Sequence, residues 1–204
     1  MELYFAPLSC SLATRIALYE AGLDADFHQV VLSTKRTSDG RDYLAVNPKG
    51  QVPALVTDDG ILTEGPAVLQ YVADLAPHAR LAAPAGTFQR HQLQQWLNYI
   101  ATEIHKGIFY LLFNPAVPAE AKGFARSLVD VRYRYLSAHL DNRSFLLDDF
   151  SIADAYLVTT LGWAAPAGID LAAWPVLTRY AAALRARPAV ARALQEELPL
   201  VDRA

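Results

Sequence analysis

The residue best placed to do chemistry is Cys10, the only cysteine in the chain. The stretch around it runs from Leu3-Tyr-Phe through Pro7-Leu-Ser-Cys-Ser-Leu-Ala13. It reads as a short apolar strand, a proline-containing turn and the opening of an amphipathic helix. A thiol at a helix N-terminus meets unpaired backbone N–H groups and the positive end of the helix dipole, which favour thiolate. Lacking a second cysteine, Cys10 must find any redox partner outside the chain. The alternative fate of a lone cysteine is a small buried hydrophobe.

Three further constellations carry chemical potential. In Asn47-Pro-Lys-Gly-Gln-Val-Pro-Ala-Leu55, Pro53 cannot donate to a strand ladder and so marks a turn or strand start. A cis Val52–Pro53 bond there would expose the Val52 backbone N–H and C=O to a ligand; a plain loop entering a hairpin is the other reading. Thr63-Glu64-Gly65-Pro66 sets a carboxylate and bare backbone donors at a helix start. That arrangement suits a ligand carrying both an amine and an anion, or else Glu64 serves its own helix. Finally, Asn98, Thr102, His105 and Phe109 follow one another at helical steps beside an apolar stripe, with Lys106 adjacent. This flank is either the wall of a cleft or a solvated face.

These groups need elements to hold them. The first eighty residues predict β-α-β-α-β-β-α: a strand at Leu3–Phe5, a helix at Ser11–Ala21 stopped by Gly22 and a strand at Phe27–Leu32. A helical turn near Asp42–Val46 and a hairpin over Ala54–Thr63 turning at Asp59-Gly60 come next. A helix opened by Gly65-Pro66 closes the series. Residues 79–86 read as a linker between a domain at 1–78 and an all-helical domain at 87–204. The helices expected there are 87–113, 118–141, 152–165, 175–186 and 189–197. Leu93, Leu97, Ile100, Ile104, Ile108 and Leu111 form the core stripe of the first. Ser151-Ile-Ala-Asp154 reads as a capping box with a structural purpose.

Composition narrows the function classes. Of 204 residues 53% are hydrophobic, enough for a sizeable core. The formal net charge of −3, with Arg and Lys scattered, argues against nucleic acid or an anionic membrane as partner. No apolar run approaches a membrane span, and Glu2 stands where a secretory signal would carry positive charge. A single cysteine without an export signal fits the cytoplasm. His28, His78, His91, His105 and His139 show no metal-ligand spacing, so no metal is expected.

Together the segments resemble a cytosolic glutathione S-transferase, closest to the bacterial beta class. The resemblance rests on Leu3-Tyr-Phe…Cys10-Ser-Leu-Ala, Ala45-Val-Asn-Pro-Lys-Gly-Gln-Val-Pro-Ala-Leu55 and Leu62-Thr-Glu-Gly65. Trp96-Leu-Asn-Tyr-Ile-Ala-Thr-Glu-Ile-His-Lys-Gly107 and Phe150-Ser-Ile-Ala-Asp-Ala-Tyr156 complete it in the family's order. It implies a thioredoxin-like N-terminal domain, a helical C-terminal domain, glutathione as co-substrate in the cleft between them, and a homodimer.

It further implies that Cys10 sits beside the glutathione sulfur, that the Val52 backbone before cis Pro53 pairs with its cysteinyl unit, and that Gln51 also belongs to the glutathione site. Glu64 and Gly65 would receive the γ-glutamyl end and Lys35 the glycyl carboxylate. Asn98, Thr102, Glu103, Ile104 and His105 would line the site, partly from a partner subunit, with His105, Lys106 and Ser11 near the thiol. Two departures stand out: Gly65 replaces a common serine, and Leu146-Leu-Asp-Asp-Phe150 replaces a glycine-containing loop.

The implied activity is conjugation of the glutathione thiolate to a small hydrophobic electrophile, with Phe109, Tyr110, Phe113 and Trp163 as candidates for the electrophile side. Tyr4, Ser9 and Ser11 offer hydroxyls as rival thiolate partners. Cys10 also allows monothiol exchange with glutathione, since Ala13 rules out a C-x-x-C pair. A non-catalytic ligand carrier on the same fold is the alternative from another class.

Overall fold

The first strand is buried on both faces and organises everything near the N-terminus. In β1 (Glu2–Phe5), Leu3 and Phe5 face one apolar core, while Tyr4 faces a second, smaller one with Val30, Tyr43, Val52 and Ala54. A strand with two buried faces belongs in the middle of a sheet. The order is indeed β3-β2-β1-β4-β5. β2 (Asp26–Val31) runs parallel to β1 with Leu3 opposite Phe27, and α1 (Ser11–Ala21) supplies the crossover that a parallel pair needs. β4 (Ala54–Thr57) and β5 (Gly60–Thr63) complete the far edge as an antiparallel hairpin. The structure is a computed structural model describing residues 1–203.

Between β2 and β5 the structure fixes three details, the last of them a correction. The helical turn expected near Asp42–Val46 forms as a single 3-10 turn, Tyr43–Ala45, capped by Asp42 accepting from the Leu44 N–H. Fully buried Tyr43 anchors that turn by donating to the Gln51 carbonyl at 2.6 Å. The polar stretch before it contains an edge strand, β3 (Arg36–Thr37), on β2. Lastly, Thr57 pairs with Gly60, so the hairpin turns at Asp58–Asp59 and Gly60 already belongs to β5.

Helix α2 (Gly65–Leu75) packs beside α1, and a 3-10 turn at Pro77–Ala79 leads toward the helical half. There Thr87 caps α3 (Phe88–Tyr99). The helical path continues without a break, but residues Ile100–Phe109 widen into a π-helix before α4 (Tyr110–Phe113). Gly107 permits this, because a Cβ there would lie 2.9 Å from the Thr102 carbonyl. The widened turn also moves the stripe: Phe109 is fully buried, while Leu111 is only half-buried.

The remaining helices are α5 (Ala119–Leu140), α6 (Ile152–Leu161), α7 (Pro175–Arg185) and α8 (Pro188–Glu197). Every residue of α6 is buried, as expected of a helix surrounded by others. It packs on α1, α7 and the π segment. α1 is therefore more deeply buried than an amphipathic pattern alone requires. Its other flank meets α6 and α8, so Leu3, Ile16, Ile104, Leu157 and Leu184 share one core.

The capping box at Ser151 forms and does more than cap. Asp154 Oδ2 accepts from the Ser151 N–H and hydroxyl, both at 2.9 Å. Its Oδ1 accepts from the Leu146 N–H at 2.8 Å and the Tyr180 hydroxyl at 2.6 Å. The Leu146–Phe150 loop is thus tied to α6 without a glycine. Asp154→Ala removes a cap and strands buried donors, so we expect a loss of about 3 kcal/mol. Asp154→Asn, which keeps an acceptor, should lose less. Urea denaturation at fixed protein concentration measures both.

Candidate active site

A cleft of about 680 Å³ opens between the sheet and the helical half. One wall is the Pro7–Cys10 loop, Val52–Pro53 and the Thr63–Pro66 turn; the other is the π segment with Tyr156 and Trp163. The Val52–Pro53 bond is cis. Cys10 is the N-cap of α1, and its Sγ–H donates to the Val52 carbonyl at 3.1 Å. Thiol and strand-entry backbone therefore meet in direct contact.

The electrostatics of Cys10 differ from the expectation of a thiolate. Burial pushes its thiol up to about 11, against opposing help from Lys106, the Cys10 and Ser11 N–H groups and the Ser9 hydroxyl. The helix start contributes as expected, but desolvation is the larger effect. Lys106 itself is exposed, with its ammonium 4.5 Å from the Tyr110 ring centre.

Cys10, Gln51, Val52, Pro53, Glu64, Gly65, His105 and Lys106 all line the cleft, as do Phe109, Tyr110, Phe113 and Trp163. Six residues expected there do not. Ser11 is fully buried; its hydroxyl donates to the Ala6 carbonyl and accepts the Ala6 N–H, which makes it a pin of the turn. Lys35 is drawn back, donating from Nζ to the Gly50 carbonyl at 2.9 Å. Ile104 is fully buried in the core. Glu103 pairs with Arg132, Thr102 donates to the Asn98 carbonyl, and Asn98 is exposed. A uniform helical period puts these groups on one flank, but the π widening carries only His105 of the polar set into the cleft.

Among the three rival hydroxyls, Tyr4 donates to Glu2 away from the cleft and Ser11 is buried; Ser9 lines the cleft. Three residues that sequence reasoning missed also belong here. Lys49 donates to Thr63 Oγ1 at 2.8 Å and pairs with Glu64, so it holds the carboxylate at the cleft mouth. Its place inside the Asn47–Leu55 segment is the signal that could have found it. Tyr156 lies 2.7 Å from His105 Nδ1. Leu8 takes a left-handed conformation, φ 54°, which nothing in its residue type announces.

Residues 1–74 match the family model described as glutathione S-transferase, N-terminal domain, and residues 99–188 match its C-terminal domain. The chain belongs to the glutathione S-transferase family. It is 43% identical to glutathione S-transferase GstA of Escherichia coli O157:H7, over 97% of this chain and 98% of that protein. In solved structures the transferase fold recurs in a ternary complex of BphK, a bacterial enzyme of this type. That structure is 48% identical at a TM-score of 0.93, covering 97% of this chain and 99% of that one. A bacterial beta-class transferase of Sphingomonas chungbukensis aligns at 42% identity and a TM-score of 0.92, over 97% and 98% of the two chains. Among the described residues, no group of His, Cys, Asp or Glu could hold a metal ion. No helix there is long and apolar enough to cross a membrane.

Because burial holds Cys10 protonated, its alkylation by iodoacetamide should accelerate with pH up to about 11. Lys106→Met removes the cation that favours the thiolate, so it should slow labelling at pH 8 several-fold. Intact mass spectrometry reads both, since only one thiol can react.

Proposed function

We propose that this transferase binds glutathione in the cleft and directs its thiolate at a small hydrophobic electrophile held against the helical wall. The observation that carries this reading is the convergence at one cleft of two kinds of surface. The Val52 backbone beside cis Pro53, the Cys10 thiol and Glu64 with Lys49 offer polar recognition from the sheet side. Phe109, Phe113 and Trp163 offer an apolar wall, with the Phe113 and Trp163 rings edge to face. Glu64 suits the ligand's amine and the helix start its carboxylate. A sphingomonad glutathione S-transferase, solved in complex with glutathione, supports the same ligand here. It is 44% identical at a TM-score of 0.92, over 97% of this chain and 98% of that one.

In this reading the nucleophile is the glutathione sulfur, which reacts as thiolate. Lys106 and the N–H groups at the start of α1 favour that anion. Cys10, held protonated by burial, acts first as a hydrogen-bond donor to what lies beside it. Its place in the cleft also supports a second reaction, exchange with glutathione disulfides through a Cys10–glutathione mixed disulfide. A reducing cytoplasm suits a chain with one thiol and no internal disulfide.

We further propose a homodimer. Phe124, Val131 and Tyr135 are 63%, 54% and 48% exposed at steps of seven and four along α5, forming an apolar stripe. Phe88, 73% exposed, opens neighbouring α3. A second copy covering this face would bury what one chain leaves wet. Sedimentation should give twice the chain mass, and Val131→Glu should shift it toward the monomer.

Turnover of 1-chloro-2,4-dinitrobenzene and of hydroxyethyl disulfide with glutathione tests the chemistry. Wild type should conjugate; Cys10→Ala should keep conjugation in large part and lose disulfide reduction. Glu64→Gln should raise the glutathione KM about tenfold, the worth of one charged hydrogen bond. Glutathione binding without either turnover would turn the reading over to a ligand carrier.

A further inference from the structure

His105 reaches the cleft from the π segment, and its ring is gripped on both sides. Its Nδ1 lies 2.7 Å from the Tyr156 hydroxyl oxygen, and the two rings meet edge to face at 6.0 Å and 88°. Trp163 packs against the ring at 5.0 Å, and its own indole N–H is fixed by donating to the Leu8 carbonyl at 2.8 Å. Tyr156 belongs to α6, where every residue is buried, and is itself 3% exposed. Its oxygen is therefore set in place by the core.

A neutral imidazole carries one proton, on either nitrogen. Were it on Nδ1, the Tyr156 oxygen would accept it, and the phenol proton would lose its only protein acceptor among the described residues. With the phenol donating, Nδ1 accepts and the ring proton sits on Nε2. Burial raises the Tyr156 hydroxyl far above its ordinary range, so it keeps its proton. The imidazolium is disfavoured too, because burial and adjacent Lys106 push His105 down to about 4.

We infer that Tyr156 is a positioning residue that holds His105 in the Nε2–H tautomer, so that the cleft wall presents a neutral N–H donor instead of a lone pair. The inference rests on the reading of this cleft as the site of glutathione chemistry, since only there does the donor affect turnover. An N–H donor favours a thiolate or another developing anion within its reach. A lone pair at the same place would repel that anion and compete for the thiol proton. Burial and Lys106 keep the ring itself neutral, so His105 aids an anion as a hydrogen-bond donor and not as a counter-charge.

Two measurements decide it. Long-range ¹H–¹⁵N correlation on histidine-labelled protein at pH 7 should show His105 as one Nε2–H tautomer. In Tyr156→Phe the two ring nitrogens should move toward averaged shifts. Kinetically, Tyr156→Phe should lower kcat for 1-chloro-2,4-dinitrobenzene about three- to tenfold, the range of one hydrogen bond, with the glutathione KM within about twofold. In a His105→Ala background the same change should add nothing, the signature of a residue acting through another. An Nδ1–H tautomer in the wild type overturns the inference, and that spectrum needs no variant to fold. An equal loss from Tyr156→Phe with or without His105 overturns it as well. A locked tautomer in a wild type that conjugates nothing would instead overturn the functional reading.

Discussion

The site depends on how the chain just before Cys10 is clamped at Leu8. Leu8 is a bulky residue in a left-handed conformation, which costs of the order of 1 kcal/mol or more. It stays there because both of its backbone groups are bound by the helical half. Its N–H donates to Glu197 Oε2 at 2.7 Å, and its carbonyl accepts from Trp163 Nε1 at 2.8 Å. The other oxygen of Glu197 accepts from Arg15 Nε at 2.8 Å. The Arg15 guanidinium in turn lies over Phe27 at 3.7 Å and Phe5 at 4.4 Å. The end of α8, the start of α1, the central sheet and the thiol loop are thus one connected unit. Burial pushes the Glu197 carboxyl up to about 7 against the opposing pull of Arg15 and the Leu8 N–H.

Burial, more than charge, sets the chemistry of the cleft. It raises the Cys10 thiol, lowers His105 and raises the Tyr156 hydroxyl. Each shift moves its group toward the neutral form, as desolvation requires. What remains charged sits at the rim: Lys106 on the helical side, and Lys49 paired with Glu64 on the other. A neutral floor under a charged rim suits a ligand that is ionic at its ends and carries a reactive sulfur in its middle.

Much of the fold is legible in the sequence because its signals are local. Gly22 takes the left-handed position that ends α1, and the Ser151–Asp154 box starts α6 where the spacing says it should. What differs is one local slip, the hairpin turning at Asp58–Asp59 and not at Asp59-Gly60, and several tertiary effects. The second core takes the Tyr43 ring at the 3-10 turn, and the main core takes Ile104, as its place in the apolar stripe requires, so it does not line the cleft. In the site, groups adjacent in sequence to an anchor are readable, as with Cys10, Val52 and Glu64. Tyr156 is not, because its meaning depends on His105, which lies 51 residues away. Lys35 is held out of the cleft lining by a related effect: a carbonyl of the chain itself, Gly50, takes its ammonium.

The division of materials between the two walls also explains which part of such a site can change. The sheet wall offers backbone and short polar groups: the Val52 carbonyl, the cis Pro53 turn and the start of α2. These are fixed by strand pairing and by Pro53, so substituting side chains alters them little. The helical wall is made of side chains, chiefly Phe109, Tyr110, Phe113 and Trp163. Phe113 and Tyr110 are 47% and 45% exposed, so replacing them leaves no cavity in the core. Trp163 and Phe109 are different, because one holds Leu8 and the other is fully buried. Substitutions would therefore reshape the helical wall most readily at Tyr110 and Phe113, whereas changes at Trp163 would disturb the thiol loop.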